Sequence, residues 1–268
     1  MRRLVAGTGW KMNIGAADAA RYATDLLRRL AKLDCTAIDM FVLPPFTSLH
    51  AAAAAFGESP VATGGQNMHW EESGGWTGEI SAPMLVEAGC RYVELAHSER
   101  LQHFGETYEL VRRKVDLALR SSLTPIICLG ETALEKREGR ADEVLAAQLL
   151  AALAGQPDAR VPDVILAYEP RWAIGTAQAA SPEYVAARHR ALRDILRQHR
   201  GPDAAERTRL IYGGSVDPEN GKDIISIADV DGLFVGRAAW KAEGFAKIIE
   251  LVVAAAQGKS ASLTAATA

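Results

Sequence analysis

Short apolar runs recur along the chain at a nearly even spacing, and this recurrence constrains the fold more than any other feature. The runs are LVAG from Leu4, IDMFVL from Ile38, VATG from Val61, YVELA from Tyr92, PIICLG from Pro125, VILAY from Val164, RLIYG from Arg209 and GLFVG from Gly232. They begin roughly 33 residues apart, which is the length of a strand and its crossover helix in a parallel sheet. The pattern therefore predicts eight parallel strands joined by helices.

The segments between the runs have helical patterns. Apolar residues fall at helical spacing in the first of them, at Tyr22, Leu26, Leu30 and Leu33. Ser181 and Asp217 are each followed by a proline, which is typical of an N-cap and the first helical position. The runs lack strict alternation, as expected for strands covered on both faces. Eight such units predict a single closed (β/α)8 barrel over residues 1–257, with residues 258–268 as a frayed tail without periodicity.

Composition and charge exclude several classes of function. Nearly half of the 268 residues are apolar (49%) and 24% are charged, as in an ordinary globular enzyme. The net charge is −3, and no block of Lys and Arg is long enough to predict a nucleic-acid or membrane surface. The three cysteines fit neither a disulfide framework nor a zinc pattern. With no signal-peptide core or transmembrane run, we expect a cytoplasmic protein.

Polar residues and glycines follow most of the apolar runs. In a barrel these positions meet at the carboxyl face, where active sites lie. They are Gly9-Trp10-Lys11, Gln66-Asn67, His97-Ser98-Glu99-Arg100, Glu169, Tyr212-Gly213-Gly214-Ser215 and Gly236-Arg237. Glu169 stands out because a carboxylate at the mouth of a buried strand is costly to desolvate unless it has a partner or a task.

These residue types suit proton transfer in a sugar phosphate. Glycine turns after the seventh and eighth runs can present backbone N–H groups to a phosphate, and Lys11 adds a positive charge. Glu169 can take a proton from a carbon beside a carbonyl, while a neutral His97 polarises the oxygen atoms. This chemistry requires no cofactor and no metal, and we expect neither. Cys128 lies in a buried run and is predicted to be a packing residue.

Five motifs in order resemble the triosephosphate isomerase family. They are KMN at Lys11, HSER at His97, AYEP-x-WAIGT at Ala167, YGGSV at Tyr212 and DGLFVG at Asp231. The resemblance extends from about Leu4 to Gln257 and implies a TIM barrel. It implies that Glu169 is the catalytic base, His97 the electrophile and Lys11 an electrostatic contact to the substrate. It also implies that Glu99 is a buried acid that helps to order the site.

The resemblance further implies a mobile lid and a homodimer. The lid would span Pro170 to about Ala180, with Tyr212 latching the closed state and closure excluding water. Phosphate-binding residues would be Gly175, Gly213, Gly214, Ser215 and Gly236. The loop from Gln66 to Ser81, which contains Trp70, Thr77 and Trp76, would reach into the site of a second subunit.

Four residues depart from the glycolytic pattern of that family, which has asparagine before Trp10, a small apolar residue second in the lid, and glycines after Thr176 and Gly236. The residues found here are Gly9, Arg171, Ala177 and Arg237. Gly9 vacates roughly the volume of one hydroxymethyl group, so a four-carbon substrate could fit, and Arg237 adds donors beside the phosphate turn. The sequence looks more like the branch that isomerises L-erythrulose 1-phosphate to D-erythrulose 4-phosphate. Triosephosphate isomerisation and a non-catalytic phosphate-binding relative are the alternatives.

Overall fold

Eight parallel strands close into a barrel in sequence order. The computed structural model describes residues 2–175 and 179–267, with residues 260–267 as backbone only. The strands are β1 (Leu4–Gly9), β2 (Ile38–Leu43), β3 (Val61–Gly65), β4 (Cys90–Leu95), β5 (Thr124–Leu129), β6 (Ile165–Tyr168), β7 (Arg209–Tyr212) and β8 (Gly232–Val235). Because β1 pairs with both β2 and β8, the barrel has no open edge. All eight predicted strands and the predicted (β/α)8 fold are confirmed.

Helices surround the barrel and cover its outer face. Within the described residues they are α1 (Ala16–Leu30), α2 (Phe46–Phe56), α3 (Ala82–Glu87), α4 (Ser98–His103), α5 (Tyr108–Arg120), α6 (Ala133–Arg137), α7 (Ala141–Ala152), α8 (Pro182–Arg207), α9 (Gly221–Ser226) and α10 (Ala242–Thr267). The predicted stripe on α1 is buried, since Tyr22, Leu26 and Leu30 pack against the core. Across the described chain, no helix has both the length and the apolarity needed to cross a membrane.

Two helix boundaries differ from the sequence-based expectation. Ser181 caps α8 as predicted, because its side chain accepts a hydrogen bond from the Tyr184 N–H. Asp217 instead caps the turn before the helix, accepting from Glu219 N and Asn220 N, and the helix begins only at Gly221. α10 ends at Thr267, beyond the end of the predicted barrel at Gln257, and fraying of residues 258–268 stays a prediction. Alanine-rich sequence without proline favours such a continuation.

Side chains fill the inside of the barrel, so the candidate site lies at its mouth. Inward-facing residues form a cluster separate from the larger core between strands and helices: Val5, Phe41, Leu43, Ala62, Tyr92, Ile126, Cys128, Ile165, Ala167, Ile211 and Phe234. The barrel is therefore a packed core and not a pore. A ligand can reach only the upper layer of this cluster, at the carboxyl ends of the strands.

The opposite end of the barrel holds a buried ionic network. Arg193 on α8 donates to Asp231 Oδ2 at 2.8 Å and to the carbonyl oxygens of Ala205 and Thr208. Asp231, just before β8, also accepts from Arg2 Nε at 2.8 Å and from Leu210 N at 2.9 Å. This network joins the last strands at their amino ends, where barrel residues serve stability.

Candidate active site

Lys11 lies directly after β1 in an unusual backbone conformation. Its φ of 52° falls in the left-handed region, which a residue with a side chain adopts only when neighbours hold it there. The Gln66 side chain supplies that constraint, since its Nε2 donates to the carbonyl oxygens of Lys11 at 3.0 Å and Leu43 at 2.9 Å. The Lys11 ammonium then reaches Glu99 Oε1 at 2.8 Å. The end of β3 thus positions the cation from β1.

His97 follows β4 and caps α4 with its imidazole ring. Its Nδ1 accepts a hydrogen bond from the Glu99 backbone N–H at 3.2 Å, so a neutral ring carries its proton on Nε2. Nε2 lies 3.8 Å from Glu169 Oε2. Burial, followed by the Lys11 charge, lowers the pKa of His97 to about 4. The ring is therefore neutral at physiological pH and presents an N–H donor next to the carboxylate.

Glu169 follows β6 and is almost fully buried, with 3% of its surface exposed. Burial raises its pKa to about 7, while Lys11 and a hydrogen bond from Cys128 act in the opposite direction. Within the described part of the chain, Oε2 has no hydrogen-bond partner. A Cβ on Gly213 would lie 2.8 Å from the Glu169 Cγ and Oε1 atoms, so only glycine leaves room for the carboxylate. Glu169 thus has the pKa of a base that works near neutral pH.

Glu99 joins the site but is not the buried acid that we expected. Its side chain is 48% exposed, because it lies on the outer turn of α4 beside the Lys11 ammonium. Partial burial raises its pKa, but the hydrogen bond from Lys11 and the neighbouring His97 outweigh this and lower it overall. Glu99 therefore stays ionised and fixes the Lys11 side chain from the solvent side.

The turns after β7 and β8 lie on adjacent strands, as a shared phosphate site requires. Gly213, Gly214 and Ser215 follow β7, and Gly236 and the exposed Arg237 follow β8. A Cβ on Gly236 would meet open space, so this turn presents unobstructed backbone.

Gly175 lies in the lid segment with a φ of 71°, which favours glycine. Thr176 and Ala177, the next residues of the predicted lid, lie outside the described residues. Roles in phosphate binding stay predictions for all these residues.

Gly9 leaves room for a further carbon atom beside the inward-facing Glu94. A Cβ built on it would lie 3.7 Å from Phe234 Cζ and 3.9 Å from Glu94 Oε2, both ordinary contact distances. The Gly9 carbonyl accepts from Trp240 Nε1 at 3.2 Å, which holds the backbone in place. Neither its backbone nor its neighbours therefore demand glycine at this position.

Comparison with known proteins agrees with this geometry. A model of the family described as triosephosphate isomerase matches residues 4–252. The chain belongs to the triosephosphate isomerase family. It is accordingly an isomerase, built on the family's barrel.

The similar proteins fall under two enzyme names. The chain is 44% identical over 264 residues to the L-erythrulose-1-phosphate isomerase of Rhizobium etli, covering 97% of this chain and 96% of the relative. It is 40% identical to the protein of that name from Mycolicibacterium smegmatis, covering 95% of each chain. It is also 44% identical over 246 residues to the triosephosphate isomerase of Chloroflexus aurantiacus, covering 92% and 97%. Identity alone does not separate the two names.

Glu131 anchors Trp172, in the segment predicted to be a lid, and was not anticipated from the sequence. Its fully buried carboxylate accepts hydrogen bonds from Tyr168 OH, from Trp172 Nε1 at 2.7 Å and from Tyr184 OH at 2.9 Å. Lys136 Nζ lies 3.3 Å from the centroid of the Trp172 ring. The only sequence signal was an acid after the fifth run, in CLGE. Glu131 joins β6, the predicted lid and α8 through one side chain.

A second buried pair supports the loop that carries His97. Lys114 on α5 contacts the Glu106 carboxylate and donates to Asn67 Oδ1 at 2.8 Å. Glu106 Oε2 in turn accepts from the Ala96 backbone N–H at 3.2 Å. Ala96 has a φ of 61°, so the turn into His97 is strained and needs this support. Neither charge could be identified as buried from the helical pattern alone.

Glu94 is the other acid that sequence reasoning missed. It points into the barrel from β4 and is 6% exposed. One ligand atom each from Glu94, Cys128 and Glu169 lie within 4.8 Å of one another. Within the described chain, these three side chains form the cluster whose ligand atoms could hold a metal ion. The expectation that the protein needs no metal and no cofactor stays a prediction. The sequence signal was the acid inside YVELA, an otherwise apolar run.

Proposed function

We propose that this protein interconverts L-erythrulose 1-phosphate and D-erythrulose 4-phosphate through an enediolate. The observation that carries the proposal is the room at Gly9, where a Cβ would meet Phe234 and the buried Glu94 at ordinary contact distances. L-erythrulose 1-phosphate differs from a triose phosphate by one hydroxymethyl group on the carbon that must lose a proton. That group needs room close to the base, and Gly9 supplies it.

The proton moves between neighbouring carbons of the substrate. The Glu169 carboxylate removes the proton from C3, and the electron pair of that C–H bond forms the C2–C3 double bond of the enediolate. His97 Nε2–H donates to the oxygen that gains negative charge, 3.8 Å from the base in the absence of substrate. The O3 proton is transferred to O2, and protonated Glu169 then returns its proton to C2. No atom is gained or lost overall.

Charge stabilisation has two sources in this proposal. Lys11, held by Gln66 and Glu99, supplies a positive charge on the rim of the site. The turns at Gly213 to Ser215 and at Gly236 and Arg237 bind the phosphate through backbone N–H groups and the Arg237 side chain. Closure of the lid, with the Gly175 N–H on the phosphate, excludes water and protects the enediolate from losing phosphate.

The decisive measurement compares two substrates under one buffer. We expect kcat/KM to be at least tenfold higher for L-erythrulose 1-phosphate than for glyceraldehyde 3-phosphate. A preference for the triose would favour the alternative, a triosephosphate isomerase, which the Chloroflexus aurantiacus relative makes a real candidate.

Gly9→Asn tests the substrate-size argument in the same assay. A Cβ at this position meets its neighbours only at ordinary contact distances, so the fold should be retained. We expect the ratio of kcat/KM between the tetrulose and triose phosphates to fall by about tenfold or more, since the amide fills the space that the hydroxymethyl group needs. Gly15→Asn, at a site with nothing near its Cβ, is the matched control. An unchanged ratio would refute the volume argument.

The non-catalytic alternative is tested by Glu169→Asp. Retraction of the carboxylate by one methylene should lower kcat by orders of magnitude in an enzyme, because proton abstraction depends on sub-ångström placement. A binding protein would have no turnover to lose and would keep its affinity for the phosphorylated ligand.

We also propose a homodimer formed through the loop from Gln66 to Ser81. Trp76 in this loop is 46% exposed although it packs on His69, with ring centroids 4.4 Å apart. Met12 and Phe104, beside Lys11 and after α4, are 95% and 67% exposed. Burial of these apolar side chains by a second copy would stabilise the pair. Sedimentation velocity should give a dimer at micromolar concentration, and a monomer there would contradict it.

A cytoplasmic location is part of the same proposal. Its support is the set of three buried cysteines, which are unpaired. Cell fractionation with an antibody tests it, and recovery outside the cytoplasm would contradict it.

A further inference from the structure

We propose that Glu94 is a substrate-binding residue whose carboxylic acid group hydrogen-bonds the additional hydroxyl group of a four-carbon sugar phosphate. The inference rests on the proposed function and adds a residue to it. Gly9 explains only why a larger substrate fits. Glu94 explains what would hold the extra group in place.

Position is the first argument. Glu94 lies on β4, where its side chain points into the barrel, and it occupies the highest layer of the interior, three residues before His97. Its Oε2 lies 3.9 Å from the point where a side chain at Gly9 would begin. The two features that distinguish this site therefore face the same space, although they are 85 residues apart in sequence.

Proximity to the base is the second argument. One carboxyl oxygen each of Glu94 and Glu169 and the Sγ atom of Cys128 lie within 4.8 Å of one another. The hydroxymethyl group of L-erythrulose 1-phosphate is bonded to the carbon that Glu169 deprotonates. A residue that binds this hydroxyl must therefore lie only a few ångströms from the Glu169 carboxylate. Glu94 meets this requirement.

Unused hydrogen-bonding capacity is the third argument. Among the described residues, the Glu94 carboxyl group accepts a weak hydrogen bond from Cys128 Sγ to its Oε1, at 3.9 Å. A buried carboxyl group normally has stronger partners. A substrate hydroxyl, which both donates and accepts, would satisfy it.

Protonation makes the assignment chemically consistent. A second carboxylate beside Glu169 would repel the enediolate and the phosphate. Burial, and then the charge of Glu169, raise the pKa of Glu94 well above its ordinary value, against an opposing effect of Lys11. A protonated Glu94 beside an ionised Glu169 separates the two acids into a neutral donor and a base.

Glu94→Leu tests this assignment with both substrates at a pH above the activity midpoint. We expect kcat/KM for L-erythrulose 1-phosphate to fall about 10- to 100-fold and that for glyceraldehyde 3-phosphate to change less than about threefold. Glu94→Gln, which keeps a donor and an acceptor, should stay within about fivefold of wild type on both. Tyr92→Phe removes a hydroxyl from the same strand face one layer deeper, and serves as the control.

Three results would overturn the inference. The first is an equal fall in kcat/KM on both substrates for Glu94→Leu, and the second is no fall on either. The third is a fall in kcat/KM for Glu94→Gln as large as that for Glu94→Leu. Glu94→Asp gives a second test should the leucine variant fail to fold, because it withdraws the carboxyl and should selectively impair the tetrulose. Wild-type preference for the triose would reject the proposed substrate, whereas a tetrulose preference unaffected by Glu94 variants would reject only the role of Glu94.

Discussion

Glu169→Gln should stabilise the protein at alkaline pH while abolishing catalysis. Burial raises the pKa of Glu169 from 4.5 to about 7, so the folded state binds this proton more tightly than the unfolded chain. The resulting stabilisation is complete below about pH 4.5 and is lost as the pH rises through about 7. Between about pH 5 and pH 8, ionisation of Glu169 should therefore lower the free energy of unfolding by about 2–3 kcal/mol.

Glutamine has nearly the same shape and no charge, so this loss should be absent from the variant. The assay is urea-induced unfolding of both proteins at the two pH values and one protein concentration, since subunit association would shift apparent stability. The free-energy difference between variant and wild type cancels the titrating groups that do not interact with Glu169 and should grow by about 2–3 kcal/mol toward the higher pH.

Glu99→Gln is the matched control within the same site. Glu99 is half exposed and its pKa is lowered, mainly by Lys11 against partial burial, so its ionised form is the stabilising one. That variant should gain nothing at pH 8 and should be slightly less stable than wild type. A difference for Glu169→Gln that stays constant with pH would refute the claim that this base is held in an unfavourable, desolvated position.

Three further variants probe the base, the loop support and the opposite end of the barrel. Cys128→Ala removes the thiol that lowers the pKa of Glu169, so the acid limb of kcat/KM should move to higher pH from its midpoint near 7. The substrate phosphate titrates identically in both proteins. Lys114→Met removes the cation that hydrogen-bonds the buried Glu106, although Arg100 Nε stays 3.7 Å from the same carboxylate, and should cost about 3 kcal/mol in urea unfolding. Arg193→Leu should cost a similar ~3–5 kcal/mol but leave kcat/KM of the folded enzyme within about threefold.

Each of these predictions has a clear contrary result. An acid limb that does not move in Cys128→Ala would mean that the thiol leaves the base unaffected. Arg197→Leu, on the same helix as Arg193, breaks two exposed pairs and should change stability by less than ~1 kcal/mol. Equal effects of the two arginine variants would contradict the role assigned to the buried network. Full stability of Lys114→Met would contradict the support assigned to that pair.

Much of the fold could be predicted because local patterns and barrel geometry agree. Each strand is a short apolar run, and parallel strands require crossover helices of the observed length. The positions of Lys11, His97 and Glu169 followed from the same logic, since the carboxyl ends of parallel strands meet on one face. The helix start predicted at Asp217 was wrong because an aspartate before proline caps a turn as readily as a helix.

The sequence by itself determined which residues reach the mouth of the barrel, because strand order and direction follow from its repeat. Only the tertiary structure decided their environment, since burial and charge depend on neighbours distant in sequence. It placed Glu99 in solvent and Glu94 and Glu131 in the interior, although all three are glutamates at the ends of strands or just beyond them. It also brought Gly9 and Glu94 to face one space, a juxtaposition that no local pattern encodes. Desolvation, which raises the pKa of Glu169 to about 7, is likewise a property of the closed barrel and not of the motif.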